Sequence, residues 1–162
     1  MAFDLTLILI LAATVLTGLL AGASLDKAIV QLPARHRLGV VGFASFSRAN
    51  DLGNGLIVYP VMGIAAALLT IIAALIVFLQ RTPLTGAWPI YVAALFAILH
   101  SFVTTRAAPN MLSLRQSNDD EAALTEIFNR FAAWHNVRAI LQVLNFVFLV
   151  VGIVAYISVR PS

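Results

Sequence analysis

A chain of 162 residues that is 61% hydrophobic, only 10% charged and of mean hydropathy +0.97 lacks the surface of a soluble domain, whose charged fraction is about 25%. It reads as one integral membrane domain spanning 1–162, and with no cysteine it excludes disulfides and thiolate metal sites. The net charge of +3 resides in basic residues flanking apolar stretches, which implies membrane lipid as a partner and no nucleic acid.

The first span is predicted over about 3–23, an apolar segment interrupted only by Thr6, Thr14 and Thr17. A cleavable leader is disfavoured, because Asp4 rather than a basic residue precedes it and the apolar run is too long, although Ala21–Ser24 faintly resembles a cleavage site. Gly18 and Gly22 form a small-xxx-small pair that permits close approach of a neighbouring helix. Residues 24–55 form a long first loop broken at Pro33. Its stretch from Arg37 to Asp51 alternates apolar and small polar residues as an interfacial helix does. Asp26 beside Lys27, and Arg48 near Asp51, are expected to neutralise each other at the membrane surface.

A second span over about 56–80 has Pro60 and Gly63 near its start. The short turn 81–88, with two breakers, makes spans two and three antiparallel neighbours. Trp88 and Tyr91 anchor the third span, about 88–105, at an interface. From Asp119 onward, a polar amphipathic run passes without Pro or Gly into an apolar one, so a single long helix is predicted whose span covers about 137–159. The fold class is therefore all-α: a four-helix up-and-down membrane bundle, with an interfacial helix in the first loop and an N-terminal extension on helix four.

On that last helix His135, Arg138, Gln142 and Asn145 follow spacings that place them on one face. Such a stripe is too costly to face lipid and must turn toward protein or trapped water. Lys27, Arg35, Arg37, Arg48, Arg106, Arg115, Arg130 and Arg138 fall on the side of loops one and three, against Arg81 and Arg160 opposite. That asymmetry puts the large loops in the cytoplasm of a multi-pass inner (plasma) membrane protein and both termini outside. His100 then lies about 9 Å deeper than Arg106, and Asn145 about 10 Å deeper than Arg138. At matched depth His100 is expected to hydrogen-bond the amide of Gln142 or Asn145, with Thr104 extending the row. His36, His100 and His135 are the only histidines. Their spacing gives no diiron or zinc motif, and His135 sits at the wrong height for bis-histidine haem ligation.

Four stretches, TGLLAGASLDKAIVQLP, FSRANDLGNGLIVYPV, TTRAAPNMLSLR and FNRFAAWHNVRAILQVLNF, resemble the anthrone-oxygenase-like family of small four-helix membrane proteins, across nearly the whole chain. The resemblance aligns Asn110, Trp134, His135 and Arg138 with the family's pattern. It implies a cofactor-independent oxygenase that converts an anthrone to an anthraquinone with O₂, so no cofactor is expected. Such chemistry needs a base, a cation for the oxyanion and an apolar cavity. His100 or His135 is the candidate base and Arg138 or Arg106 the cation. Trp134, Phe131 and Phe43 are candidates for a stacking wall, and Asn110, Gln142 and Asn145 complete the ligand-binding set around a hydrophobic aromatic small molecule. The alternative is a non-enzymatic accessory subunit, packed in a larger membrane complex or a homo-oligomer formed through the Gly18/Gly22 face.

Overall fold

The computed structural model describes residues 4–159, and its regular elements are all helical. The expected start of the first span at Phe3, and Arg160, lie outside those residues. In chain order the elements are α1 (Leu5–Asp26), a π-helical turn Lys27–Gln31, α2 (Leu32–Ala49), a second π-helical turn Asn50–Asn54, α3 (Gly55–Leu79), α4 (Leu84–Leu112), a 3-10 turn Ser113–Arg115 and α5 (Glu121–Ser158). Asp4 and Asp120 cap α1 and α5, accepting from the backbone N–H of Thr6 and Ala122 at 3.0 and 3.2 Å. Each cap satisfies a donor that the first helical turn leaves open.

Among the described residues three helices are long and apolar enough to cross a membrane: the continuous run Leu5–Leu79, Leu84–Arg115 and Glu121–Ser158. The first run doubles back on itself. Gln80 Nε2, at its far end, donates to Thr6 Oγ1 at 2.9 Å, so α1 and α3 pack side by side in opposite directions. The reversal uses two breaks. Gly39, inside α2, has φ 72° and ψ 158°, a conformation open to glycine and strained for any side chain; Gly53 departs from helical geometry with ψ −121°.

The region expected as a first loop is thus helical almost throughout. Pro33 falls in the opening turn of α2, where its missing donor costs nothing, so it starts a helix instead of breaking a loop. Pro60 is the sixth residue of α3, past the first turn, and removes the hydrogen bond to the Leu56 carbonyl. α4 runs to Leu112, beyond the expected end near Thr105. α5 is one helix of 38 residues, as its sequence without Pro and with a single late Gly predicts.

Small side chains set the spacing of the bundle. Ala13, Ala73, Ala87 and Ala93 are fully buried with Ile10, Val77, Ile90 and Leu149 between them, which lets helices pack closely without a hydrophobic driving force. A Cβ on Gly18 would stand 2.8 Å from the Phe146 ring, so this glycine is spent on the contact between α1 and α5. Outward faces carry exposed Val61, Ile64, Leu68, Leu75, Val150 and Val154, as a lipid-facing surface requires. At one end, α2, the end of α4 and the first half of α5 enclose a second core around Phe43, Leu114, Leu124 and Phe128. There the Phe43 and Phe128 rings meet edge to face at 4.9 Å.

Both expected surface ion pairs are replaced. Arg48 donates to the Leu114 carbonyl (3.1 Å), the Ser117 carbonyl (2.9 Å) and Asp119 (2.9 Å), pinning the connection between α4 and α5. Asp51 instead pairs with Lys27. Adjacent Asp26 and Lys27 point apart along the helix, and although Arg48 and Asp51 have a spacing that allows a pair, the fold brings the two π-helical turns together so that Asp51 meets Lys27.

Because Gly39 alone needs a positive φ in α2, Gly39→Ala is expected to destabilise by about 1–2 kcal/mol. Gly42→Ala, whose Cβ would meet only Leu38 at 3.8 Å, should leave stability unchanged or raise it by up to about 1 kcal/mol. Thermal unfolding of the two variants in detergent reads the opposite signs directly.

Candidate functional site

The inward stripe of α5 meets the end of α1, and there its polar groups form a chain. Arg138 Nη2 lies 2.8 Å from His135 Nδ1, and His135 Nε2 lies 3.1 Å from the Ser24 carbonyl. A carbonyl only accepts and a guanidinium only donates, so His135 carries its proton on Nε2 and presents the Nδ1 lone pair to the arginine. Ser24 Oγ continues the chain to Gln142 Oε1. Phe131 stacks on the imidazole at 5.2 Å between ring centroids and fixes the ring plane. His135, Gln142 and Asn145 are buried, and Arg138 is half-buried, so the stripe turns inward as the cost of facing lipid demands.

This chain borders a cavity of about 410 Å³, within the size range of small-molecule sites. Its polar rim includes Ser24, Lys27, Asp51, His100, His135, Arg138 and Gln142; much of the remaining wall is apolar, from Leu20, Leu56, Ile64 and Met111. The lining residues that are themselves exposed, Tyr59, Pro60 and Ile64 on α3 and Ser101 and Leu112 on α4, place the opening between those two helices. α3 keeps this region open with Pro60 and Gly63, which add little bulk.

The charges do not balance inside the cavity. Lys27, the chain's only lysine, is buried; it pairs with Asp51 and lies 5.6 Å from the centre of the Phe43 ring. That pair cancels. Among the described residues Arg138 has no carboxylate partner within salt-bridge distance, and its buried Nε lacks a hydrogen-bond partner. The three groups together carry one net positive charge, with Asp51 bonded to Lys27 and acting on Arg138 only through space, at the edge of a largely apolar cavity.

His100 lies across the cavity on α4. The expected bond to Gln142 or Asn145 is not made: Gln142 takes its proton from Ser24, and Asn145 Oδ1 is buried without a partner. His100 Nε2 instead faces Thr104 Oγ1 at 3.4 Å. That hydroxyl's one proton goes to the His100 carbonyl at 2.9 Å, so the ring nitrogen is the donor and Nδ1 keeps the free lone pair. His100 and His135 border the same cavity, despite the different heights read from the sequence. Only His100 retains a basic nitrogen.

His100, His135, Arg138 and Gln142 thus come together, and Asn145 lines a niche beside them. Arg106, Asn110 and Trp134 do not border the cavity. Arg106 is exposed over the Phe102 ring, its carbonyl accepts from the Asn110 amide at 2.8 Å, and Trp134 is exposed on the outer face of α5. Of the expected stacking wall, Phe131 borders the cavity, whereas Phe43 is fully buried in the second core. Sequence reading missed Ser24, Lys27 and Asp51. A lone lysine at the end of an apolar span was the available signal, since a cation there needs a partner. Comparison with protein-family models, curated proteins and solved structures found no match.

The side chains of Lys27 and Asp51 are only 8% and 11% exposed, so breaking the pair from one side strands a buried charge. Lys27→Met is expected to cost about 3–5 kcal/mol, and adding Asp51→Leu should recover most of that loss. Chemical unfolding of the two variants, beside the wild type, measures the recovery.

Proposed function

We propose that the chain is a four-span membrane protein whose cavity takes a hydrophobic aromatic molecule with an acidic hydrogen, and that it oxygenates that molecule without a cofactor, as in the anthrone-oxygenase-like family it resembles. The supporting observation is the cavity itself: a largely apolar space flanked by one basic imidazole nitrogen, on His100, and one cation without a carboxylate, Arg138. α1, at 22 residues, and α3, at 25, are each long enough to cross the ~30 Å hydrocarbon core. Counted with α4 and α5 they give four crossings, and the basic asymmetry puts the cavity in the cytoplasmic half.

In this reading the substrate enters from the bilayer between α3 and α4. His100 accepts one proton of the ring CH₂, while Arg138 stabilises the oxyanion onto which the negative charge delocalises. The carbanion reduces O₂ and forms a C–O bond to it, and His100 returns its proton to the distal oxygen, giving a hydroperoxide. Loss of the second C–H proton breaks the O–O bond, leaving a carbonyl and water. One CH₂ and one O₂ thus give one C=O and one H₂O. His135 positions Arg138 and supplies no base.

The competing reading, a structural or accessory subunit, is favoured by the hydrogen bonds that tie His135 and Gln142 to Ser24 within the chain. Against it stand the open volume and the use of Gly18 on Phe146, which removes half of the proposed self-association face.

With an anthrone supplied in nanodiscs, His100→Gln should leave the melting temperature nearly unchanged and lower turnover by about 10²–10⁴-fold. Wild-type turnover by this variant would remove His100 from the mechanism. Loss of folding together with no anthrone-induced melting shift in the wild type would favour the accessory subunit. For topology, a cysteine placed at exposed Asn118 should react with an impermeant reagent only after the cytoplasmic face is opened; labelling from outside alone reverses the orientation.

A further inference from the structure

Beside His100 the cavity continues into a niche of about 10 Å³. It shares His100, Gln142, Leu20 and Gly63 with the larger space and is completed by Thr17, Asn145 and three alanines of α3 and α4. The small side chains Gly63, Ala66 and Ala97 leave the room. The volume is close to one water-sized probe sphere.

Two of the lining residues each carry a buried side-chain atom with no hydrogen-bond partner: Thr17 Oγ1 on α1 and Asn145 Oδ1 on α5. Their residues are 1% and 4% exposed. Leaving both unmet costs about 1–3 kcal/mol each, and two such atoms on different helices lining one void point to a common occupant. The other polar walls are Gln142, whose Oε1 already accepts from Ser24, and His100, whose Nδ1 lone pair is left free by its contact with Thr104.

We infer that one water molecule occupies the niche, accepting from Thr17 Oγ1–H and donating to Asn145 Oδ1 and to His100 Nδ1. The count closes: the water uses both protons and one lone pair, and each of the three side chains gains one partner. Its second lone pair faces the cavity. On the oxygenation reading, on which this step rests, the water carries the substrate proton. The C–H bond breaks as its proton passes to the water oxygen, the water gives one of its own protons to Nδ1, and the water is regenerated with one proton on the imidazole. Thr17 and Asn145 are then positioning residues for the base.

The water is read first, without any ligand. In nanodiscs, with ¹⁵N-labelled asparagine, the Asn145 side-chain amide should show a cross-relaxation peak to a long-lived water, identified by its loss in Asn145→Leu. Thr17→Ser, which keeps the hydroxyl, should retain the peak, and nearly isosteric Thr17→Val should lose it. No peak in the wild type, or an undiminished peak in Thr17→Val, overturns the site. Should Thr17→Val not fold, the wild-type and Thr17→Ser spectra decide. The relay is read by deuterium exchange at the CH₂ of a bound anthrone. Thr17→Val should slow it about tenfold with the dissociation constant within about twofold, and Thr17→Ser should restore it; an unchanged rate overturns the relay. If the wild type shows the water peak but neither exchanges nor oxidises the anthrone, the oxygenation reading fails and the water site stands.

Discussion

The cost of a polar group surrounded by hydrocarbon governs this structure. An unpartnered amide or guanidinium in such a medium costs several kcal/mol, and α5 carries four candidates on one face. The fold answers with a second helix: α1 brings the Ser24 carbonyl and hydroxyl against His135 and Gln142, and His135 in turn holds Arg138. The packing of α1 on α5, the seat of Gly18 against Phe146 and the antiparallel return of α3 follow from keeping that register. A one-turn slip of α1 would separate Ser24 from both partners.

The chain of bonds stops short of satisfying everything, and the remainder defines the site. Arg138 keeps an unpartnered Nε, Asn145 an unpartnered Oδ1, and His100 a free ring nitrogen. A bundle built only for stability gains by replacing such groups with apolar side chains of similar volume. Here they converge on open space, where Pro60, Gly63 and the alanines of α3 and α4 withhold bulk. The Lys27–Asp51 pair near the second core cancels its own charge, leaving Arg138 as the field a ligand meets. A cation in a low-dielectric cavity favours a molecule able to carry one negative charge.

Much of the fold was legible in the sequence because hydropathy and breakers act locally. The length of α5 follows from an uninterrupted run, and the turn after Leu79 follows from Pro83 near a charged residue, although Gly86, expected in that turn, lies inside α4, which starts at Leu84 and not near Trp88. The inward stripe was legible too, since the spacing of His135, Arg138, Gln142 and Asn145 fixes one face whatever the neighbours are. Between Lys27 and Asn54 the alternation from Arg37 to Asp51 marked a helix, which overlaps α2, but the way that helix joins α1 and α3 was not legible: it uses two π-helical turns and a positive φ at Gly39, features that leave no period in the sequence. Partners were also hidden: Lys27 with Asp51 and Arg48 with Asp119 are long-range pairs, whereas local spacing favoured nearer ones. Asn110 and Trp134 were expected at the site from resemblance and Arg106 as an alternative cation, and their faces of α4 and α5 turn away from the cavity.

The central claim is that Arg138 stabilises negative charge on a ligand held in the cavity. Its most direct measurement is the absorption spectrum of an anthrone titrated into the protein in nanodiscs under argon, at a pH where the anthrone in empty nanodiscs is neutral. The account predicts a saturable appearance of the anthrone anion spectrum with wild-type protein and its absence with Arg138→Gln. Saturable binding of the neutral form alone, or an anion spectrum undiminished in Arg138→Gln, would contradict it.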